Sequence, residues 1–382
     1  SDKPFYGRTT FDMSMVRYGC GIDYHFAVDE SAGTGKGYDR LYFDANHDRD
    51  LTNDGVLGPM DAPPAKRPVM GRPGGHQVVF DYLELDLDRG PEKPPAPVKV
   101  MPRLTLMSVG STAHAMVSFV TPTARKGQIK LGSQEFDAVL SQMTISGTYA
   151  SPTTALFMGE TPTAMPLLCG WRKVDGTFYT FSSTPSGDRL TVTPYTGPFG
   201  GLEVSAPGTG GKSGTAELGY LIGENAMLDI SKCRTDDGKL RIPVGDYRPF
   251  RLALRIGDLR VGFGLTMPSA GEAPVGPPKF PIKIRENQPC VMNLGSDPEI
   301  VFRSPAAGQR FKVGSEIKVE AVVNDPAVGA SLSALDDTTR KTGAAMKMPD
   351  GTEYQRFQSI DPMVTITNSA GERVAQGKMP FG

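Results

Sequence analysis

Phe250-Arg251-Leu252-Ala253-Leu254-Arg255-Ile256-Gly257-Asp258-Leu259-Arg260-Val261-Gly262-Phe263-Gly264-Leu265 decides the fold class. Phe250, Leu252, Leu254 and Ile256 occupy alternate positions, and so do Leu259, Val261, Phe263 and Leu265. Period two places every second side chain on one face of a strand, so each run predicts a half-buried strand. Gly257-Asp258 between them has the length and chemistry of a tight hairpin loop.

The same pattern recurs along the chain. Phe280, Ile282 and Ile284 alternate with Pro281 and Lys283, while Ile317, Val319, Ala321 and Val323 alternate with Lys318 and Glu320. Val364 and Ile366 alternate with Thr365 and Thr367. Turn signals separate the runs at Asp175-Gly176, Ser186-Gly187-Asp188, Asp237-Gly238, Asp350-Gly351 and Ala370-Gly371. No long stretch holds a helical period; the nearest, 328–347, is interrupted by Gly329, Gly343 and Thr338-Thr339. With 45 Gly and 33 Pro in 382 residues, the composition also favours short strands and many turns. The expected fold is all-β, as multi-domain β-sandwiches.

Three segments are predicted. Residues 1–150 form a β domain, 151–296 a β-sandwich-like domain, and 297–382 an Ig-like domain. The last boundary follows Gly295-Ser296-Asp297-Pro298, after which a strand restarts at Glu299-Ile300-Val301-Phe302. The proline-rich stretch 89–102 reads as a linker or a long surface loop.

Charge excludes one class of partner. The 41 basic and 42 acidic residues leave a net charge of −1, so no basic surplus can neutralise a nucleic-acid backbone. No apolar run reaches the ~20 residues of a membrane span. Ser1 is not followed by a hydrophobic leader. The chain is therefore cytoplasmic, or its leader has been removed and it starts at its mature end. Cys20, Cys169, Cys233 and Cys290 form no metal-type pair. Cys233 and Cys290 fall in one predicted domain and are the expected disulfide, against four buried free thiols as the alternative.

The informative chemistry lies in Leu41-Tyr42-Phe43-Asp44-Ala45-Asn46-His47-Asp48-Arg49-Asp50-Leu51-Thr52-Asn53-Asp54-Gly55. Asp44, Asn46, Asp48 and Asp50 carry oxygens at every second position, and Asp54 adds a further carboxylate. A loop coiling round one ion turns alternate side chains inward, and Ca²⁺ takes six to eight oxygens. Acids this close repel one another without a cation. The spacing resembles the opening of EF-hand and dockerin-type loops. It departs from them at position six, Arg49 instead of Gly, and at position twelve, Gly55 instead of Glu. The apolar residues before it are strand-like. The expectation is a structural Ca²⁺ held by Asp44, Asn46, Asp48, Asp50 and Asp54, with His47 on the solvent phase. The plain alternative is a solvated acidic turn.

Other motifs carry less. Ala206–Ser213 fits a relaxed P-loop pattern but lacks the helix that would hold phosphate, and reads as a flexible glycine-rich loop. His25, His47, His76 and His114 have no ligand spacing. The acidic pairs Asp86/Asp88, Asp236/Asp237 and Asp336/Asp337 read as turns, and Trp171 as a core residue.

Two resemblances add to this reading. Residues 304–326 (SPAAGQRFKVGSEIKVEAVVNDP) resemble the opening strands of bacterial Ig-like repeats. Much of 15–295 resembles large, uncharacterised secreted bacterial β-proteins, through 38–52 and the strand pairs 127–140, 176–198 and 238–247. That resemblance implies export and a β architecture, and no activity. The functional expectation is a non-catalytic, calcium-stabilised structural, adhesive or binding protein. It would lie in the extracellular space, the periplasm or the cell envelope, with an unidentified protein or glycan as partner. The alternatives are an extracellular glycan-directed hydrolase and a carbohydrate-binding module.

Overall fold

The computed structural model describes residues 4–11, 22–34, 37–61, 76–87, 96–109, 112–159, 167–205, 215–224, 226–265, 280–293, 298–305, 308–312, 314–326, 329–347 and 353–380. It is an all-β fold of several mainly antiparallel sheets, as the alternating pattern requires. The chain divides into two compact units. One comprises residues 1–168 with 181–192, and the other 169–180 with 193–382.

In the first unit, β1 (Phe5–Phe11), β2 (Ile22–Asp29), β3 (Arg40–Phe43) and β4 (Val56–Leu57) form an antiparallel sheet in sequence order. A second sheet contains β5 (His76–Val79), β6 (Leu83–Leu87), β7 (Ala96–Val109) and β8 (Thr112–Val120), all paired to β7. The two sheets share one core of Phe11, Tyr24, Phe26, Leu41, Phe43, Phe80, Leu85, Leu87, Val100 and Leu104. Phe119 closes it, edge-on to Phe11, Phe26 and Phe43 at 5.4–5.5 Å between centroids. Burying one such side chain stabilises by about 1.5–3 kcal/mol.

The proline-rich stretch is not a linker beyond residue 95, because 96–102 is the first half of β7. Pro97 and Pro102 each stand one residue from the end of a ladder, opposite Asp86 and Phe119, where a missing N–H interrupts least.

A third sheet, β9 (Ala124–Leu131), β10 (Gln134–Gln142) and β11 (Thr154–Met158), is a meander. Ser151-Pro152, where the boundary between the first two predicted segments was placed, lies in the loop that joins β10 to β11. β12 (Arg172–Val174), β13 (Thr177–Ser183) and β14 (Leu190–Pro194) form a further small sheet. Asp175 and Gly176, at φ 48° and 80°, make the two-residue loop that the Asp-Gly pair predicts.

The tip 181–192 of the β13–β14 hairpin belongs to the first unit. Pro185 O accepts from the Tyr149 N–H at 2.9 Å, and Ser186 O accepts from Arg125 Nε at 3.0 Å.

The second unit holds β15 (Phe199–Ser205), β16 (Thr215–Ile222), β17 (Met227–Asp229), β18 (Leu240–Pro243), β19 (Gly245–Ile256), β20 (Leu259–Leu265), β21 (Ile282–Ile284) and β22 (Pro289–Asn293). The long hairpin read from the sequence is β19–β20. Ile256 faces Leu259 across Gly257, which takes φ 59°. Its buried side chains Leu252, Leu254, Ile256, Val261 and Phe263 join Leu202, Leu240, Ile242 and Met292 of the β18-β15-β22 sheet in one core. Trp171 packs against this core, with its ring 4.7 Å from that of Tyr195.

The chain continues through β23 (Glu299–Ser304), β24 (Glu320–Asp325), β25 (Ala330–Lys341), β26 (Met346–Lys347), β27 (Glu353–Tyr354), β28 (Phe357–Ser359), β29 (Met363–Thr367) and β30 (Arg373–Lys378). Here β25 pairs with β20, so β23 and β24 extend the same sheet, in the order β17-β16-β19-β20-β25-β24-β23. β29 and β30 form a separate two-stranded sheet. Among the described residues past Met292, Ala330 is the one buried apolar side chain. The segment expected to be Ig-like thus has no core of its own among those residues.

The expected 233–290 disulfide is absent: Cys169, Cys233 and Cys290 are free thiols, and Cys20 lies outside the described residues. Cys233 instead closes a 3₁₀ turn, its Sγ donating to Asp229 O at 3.4 Å, and burial pushes its thiol up to about 12. Among the described residues no helix is long and apolar enough to cross a membrane.

Candidate metal centre

Phe43 fixes where the acidic loop begins. Its ring stacks on Tyr24 at 5.1 Å in the first core, and it pairs with Phe26 across β2–β3. The ladder runs one step further, Asp44 N–H donating to His25 O at 3.0 Å. Asp44 is thereby carried into the protein at 1% exposure, although it is a carboxylate.

Each oxygen-bearing side chain then caps the backbone two residues on. Asn46 Oδ1 accepts from Asp48 N–H at 3.0 Å, Asp48 Oδ1 from Asp50 N–H at 2.8 Å, and Asp50 Oδ1 from Thr52 N–H at 3.0 Å. This is a run of Asx turns, the local geometry that Asp and Asn favour. Asp44 Oδ2 reaches furthest, accepting from Arg49 N–H at 3.2 Å. The reversals fall at His47 and Arg49, with φ 62° and 64°. Arg49 thus takes the left-handed conformation for which an EF-hand uses Gly at the same position.

These contacts leave a deficit. Asp44 Oδ1 and Asp54 Oδ2 are both buried and have no hydrogen-bond partner. A buried acceptor without a donor costs about 1–3 kcal/mol, and more when charged. Asp54 Oδ1 accepts a long bond from Ala45 N–H, 3.3 Å, which ties the end of the loop back to its start. Burial, and the charges of Asp44, Asp48 and Asp50, push the Asp54 carboxyl above the usual range. Asp48 is held below it, chiefly by the Asn53 amide at 2.6 Å and the Asp50 N–H.

The five expected ligands therefore fall into two groups. Asp44 is buried at the head of the loop, and Asp54, half-buried, stands at its end with one oxygen covered. Asn46, Asp48 and Asp50 lie on its exposed turns and face backbone N–H groups. Among the described residues no three His, Cys, Asp or Glu side chains are gathered closely enough to hold a metal. His47 is exposed as expected, with its ring 4.3 Å from Tyr24.

Two contributors were invisible in the spacing. His25 Nδ1 stands 3.8 Å from Asp44 Oδ2, placed there only by strand register. Asn53, on the phase opposite to the ligands, clamps Asp48; its amide in so acidic a loop was the available signal.

The remaining candidates assemble no comparable site. The relaxed P-loop at 206–213 lies outside the described residues, as do Asp88 and the side chains of His76 and His114. Glu84 and Asp86 border a shallow groove with Leu85, Pro97, Val98 and Lys99, and Lys99 pairs with Glu84 at 3.2 Å. Both acids project from the exposed face of one strand and do not face each other across a cleft. No family model, curated protein or solved structure matches this chain.

Proposed function

We propose that the chain is a non-catalytic β-sandwich protein, stabilised by a structural Ca²⁺ in loop 44–54, that serves outside the cytoplasm as a structural or binding module for a protein or glycan. The observation that carries this reading is the Asp44 carboxylate, buried at the head of an acidic loop with one oxygen unpartnered. Asp54 supplies a second orphaned oxygen. Asn46, Asp48 and Asp50 add side-chain oxygens on the alternating phase, and water completes the six to eight that calcium takes. The ion would supply the positive charge that the orphaned Asp44 and Asp54 oxygens and their acidic neighbours lack.

Export is supported by the likeness to secreted bacterial β-proteins. The non-catalytic reading is supported by a sequence without a nucleophile elbow or protease signature.

Calcium binds only the folded loop, so it raises the melting temperature. The test compares that rise in the wild type and in Asp44→Ala/Asp48→Ala. An equal rise in both would place calcium elsewhere. Turnover of a glycan by the wild type, lost on replacing a single acid, would overturn the non-catalytic half.

A further inference from the structure

Strand register brings a nitrogen donor to the head of the acidic loop. Phe26 pairs with Phe43 across β2–β3, and Asp44 N–H donates to His25 O, so His25 and Asp44 are cross-strand neighbours one step past the ladder. Side chains directly opposite on two strands share a face. His25 Nδ1 stands 3.8 Å from Asp44 Oδ2. That gap is too long for a hydrogen bond. Metal bonds to imidazole nitrogen and to carboxylate oxygen are about 2.0–2.2 Å, so two ligands of one ion stand up to about 4.3 Å apart. One cation fits between this pair without a shift of either strand.

Three features point to an ion there and not to a plain His–Asp pair. Asp44 is 1% exposed, and its other oxygen, Oδ1, is buried with no hydrogen-bond partner, so the imidazole alone leaves half of the carboxylate unanswered. The His25 side chain is 45% exposed, which keeps its ring reachable from solvent. Arg8, which faces His25 across β1–β2, is engaged by Asp23 at 3.2 Å, so its charge is answered there and not at Asp44.

We propose that His25 Nδ1 is a nitrogen ligand of this site, and that with Asp44 and Asp54 it takes Zn²⁺, a borderline ion that accepts imidazole and carboxylate together. Calcium, a hard ion, uses oxygens and leaves His25 aside. Among the described residues no three His, Cys, Asp or Glu side chains are gathered at ligand distance, so zinc draws Asp54 in. The Asp54 carboxylate is already tied beside Asp44 through Ala45 N–H, and its Oδ2 has no hydrogen-bond partner. Water fills the fourth position of the tetrahedron. The inference rests on the reading of loop 44–54 as a cation site, and adds a ligand that separates one class of ion from another.

Melting and titration calorimetry of the full chain test it, with zinc chloride and with calcium chloride separately, on the wild type, His25→Ala and Asp44→Asn. Both ions should raise the melting temperature of the wild type. His25→Ala should weaken zinc by at least about tenfold, the low end of what even an indirect partner of a metal costs, and leave the calcium rise unchanged. Asp44→Asn, which keeps the shape and removes the charge, should weaken both. Circular dichroism checks that each variant keeps its strand signal.

A zinc response equal in the wild type and His25→Ala would overturn the proposal and place zinc on other groups, as would one untouched by Asp44→Asn. Calcium lost as strongly as zinc in His25→Ala would also overturn it, since the ring would then brace the loop without ligating. Stabilisation by calcium with none by zinc would refute the proposal alone. A His25-dependent zinc response with no calcium response would uphold it and refute the calcium reading.

Discussion

Two acidic loops flank the same strand, β3, and they answer the same electrostatic problem differently. In the loop before it, Asp39 accepts from Ser31 N–H at 2.7 Å and from Ser31 Oγ at 2.5 Å. Glu30, 2% exposed, accepts from Gly37 N–H and Thr34 Oγ1 at 2.9 and 3.1 Å. In the loop after it, each acid meets at least one donor, yet Asp44 Oδ1 and Asp54 Oδ2 are left buried without a partner. An acidic loop that supplies its own N–H and O–H donors is complete without an ion. One that leaves two buried carboxylate oxygens without a donor carries negative charge its own groups do not answer.

The sharpest way to break this contrast is calcium itself. At a hundredfold excess over its dissociation constant the ion should stabilise the wild type by about 2.7 kcal/mol. Asp44→Ala/Asp48→Ala should abolish that gain, and Asp39→Ala should leave it intact. Calorimetric melting with calcium and with a chelator reads both. A gain lost in the Asp39 variant would erase the distinction between the loops.

Asp39→Ala should instead cost about 1.5 kcal/mol with or without calcium, as loss of hydrogen bonds to a charged group. Those Ser31 bonds hold the Asp39 carboxyl below its usual range. A group depressed in the folded state contributes stability above its unfolded value, near pH 4. It loses that contribution as pH falls through the folded value. The difference in melting temperature between the wild type and Asp39→Ala should therefore shrink as pH falls below about 4. A difference that widened there would contradict the hydrogen-bond account.

The smallest effect expected is a gain. Arg49 holds a left-handed conformation that disfavours a side chain, so Arg49→Gly should stabilise by about 0.5–1 kcal/mol and tighten calcium binding. Titration calorimetry alongside melting checks both. A loss on both measures would mean that the Arg49 side chain, and not its backbone, is needed.

Much of the fold was legible because it is locally encoded. The alternation at 250–265 specified β19–β20, and Asp175-Gly176 specified its own turn. Pro97 and Pro102 concealed the strand at 96–102, since proline is tolerated near a ladder's end and nothing local says where a ladder ends. The pairing of β20 with β25 bridges about seventy residues, and neither strand carries a mark of the other. Past the boundary expected near 296, the large sheet continues through β25, β24 and β23.

In the loop, the phase of Asp44, Asn46, Asp48 and Asp50 could be read directly. The burial of Asp44 could not, because it follows from the packing of Phe43 against Tyr24. The nearness of His25 follows only from the register of β2.

The hairpin tip at 181–192 sets an order of events during synthesis. Tyr149 and Arg125 find their acceptors at Pro185 and Ser186, residues that leave the ribosome after the rest of the first unit. At about 5–20 residues per second that wait lasts a few seconds. The first unit reaches its final contacts only once the second has begun to emerge, so a fragment cut at residue 168 would lack the piece that completes it.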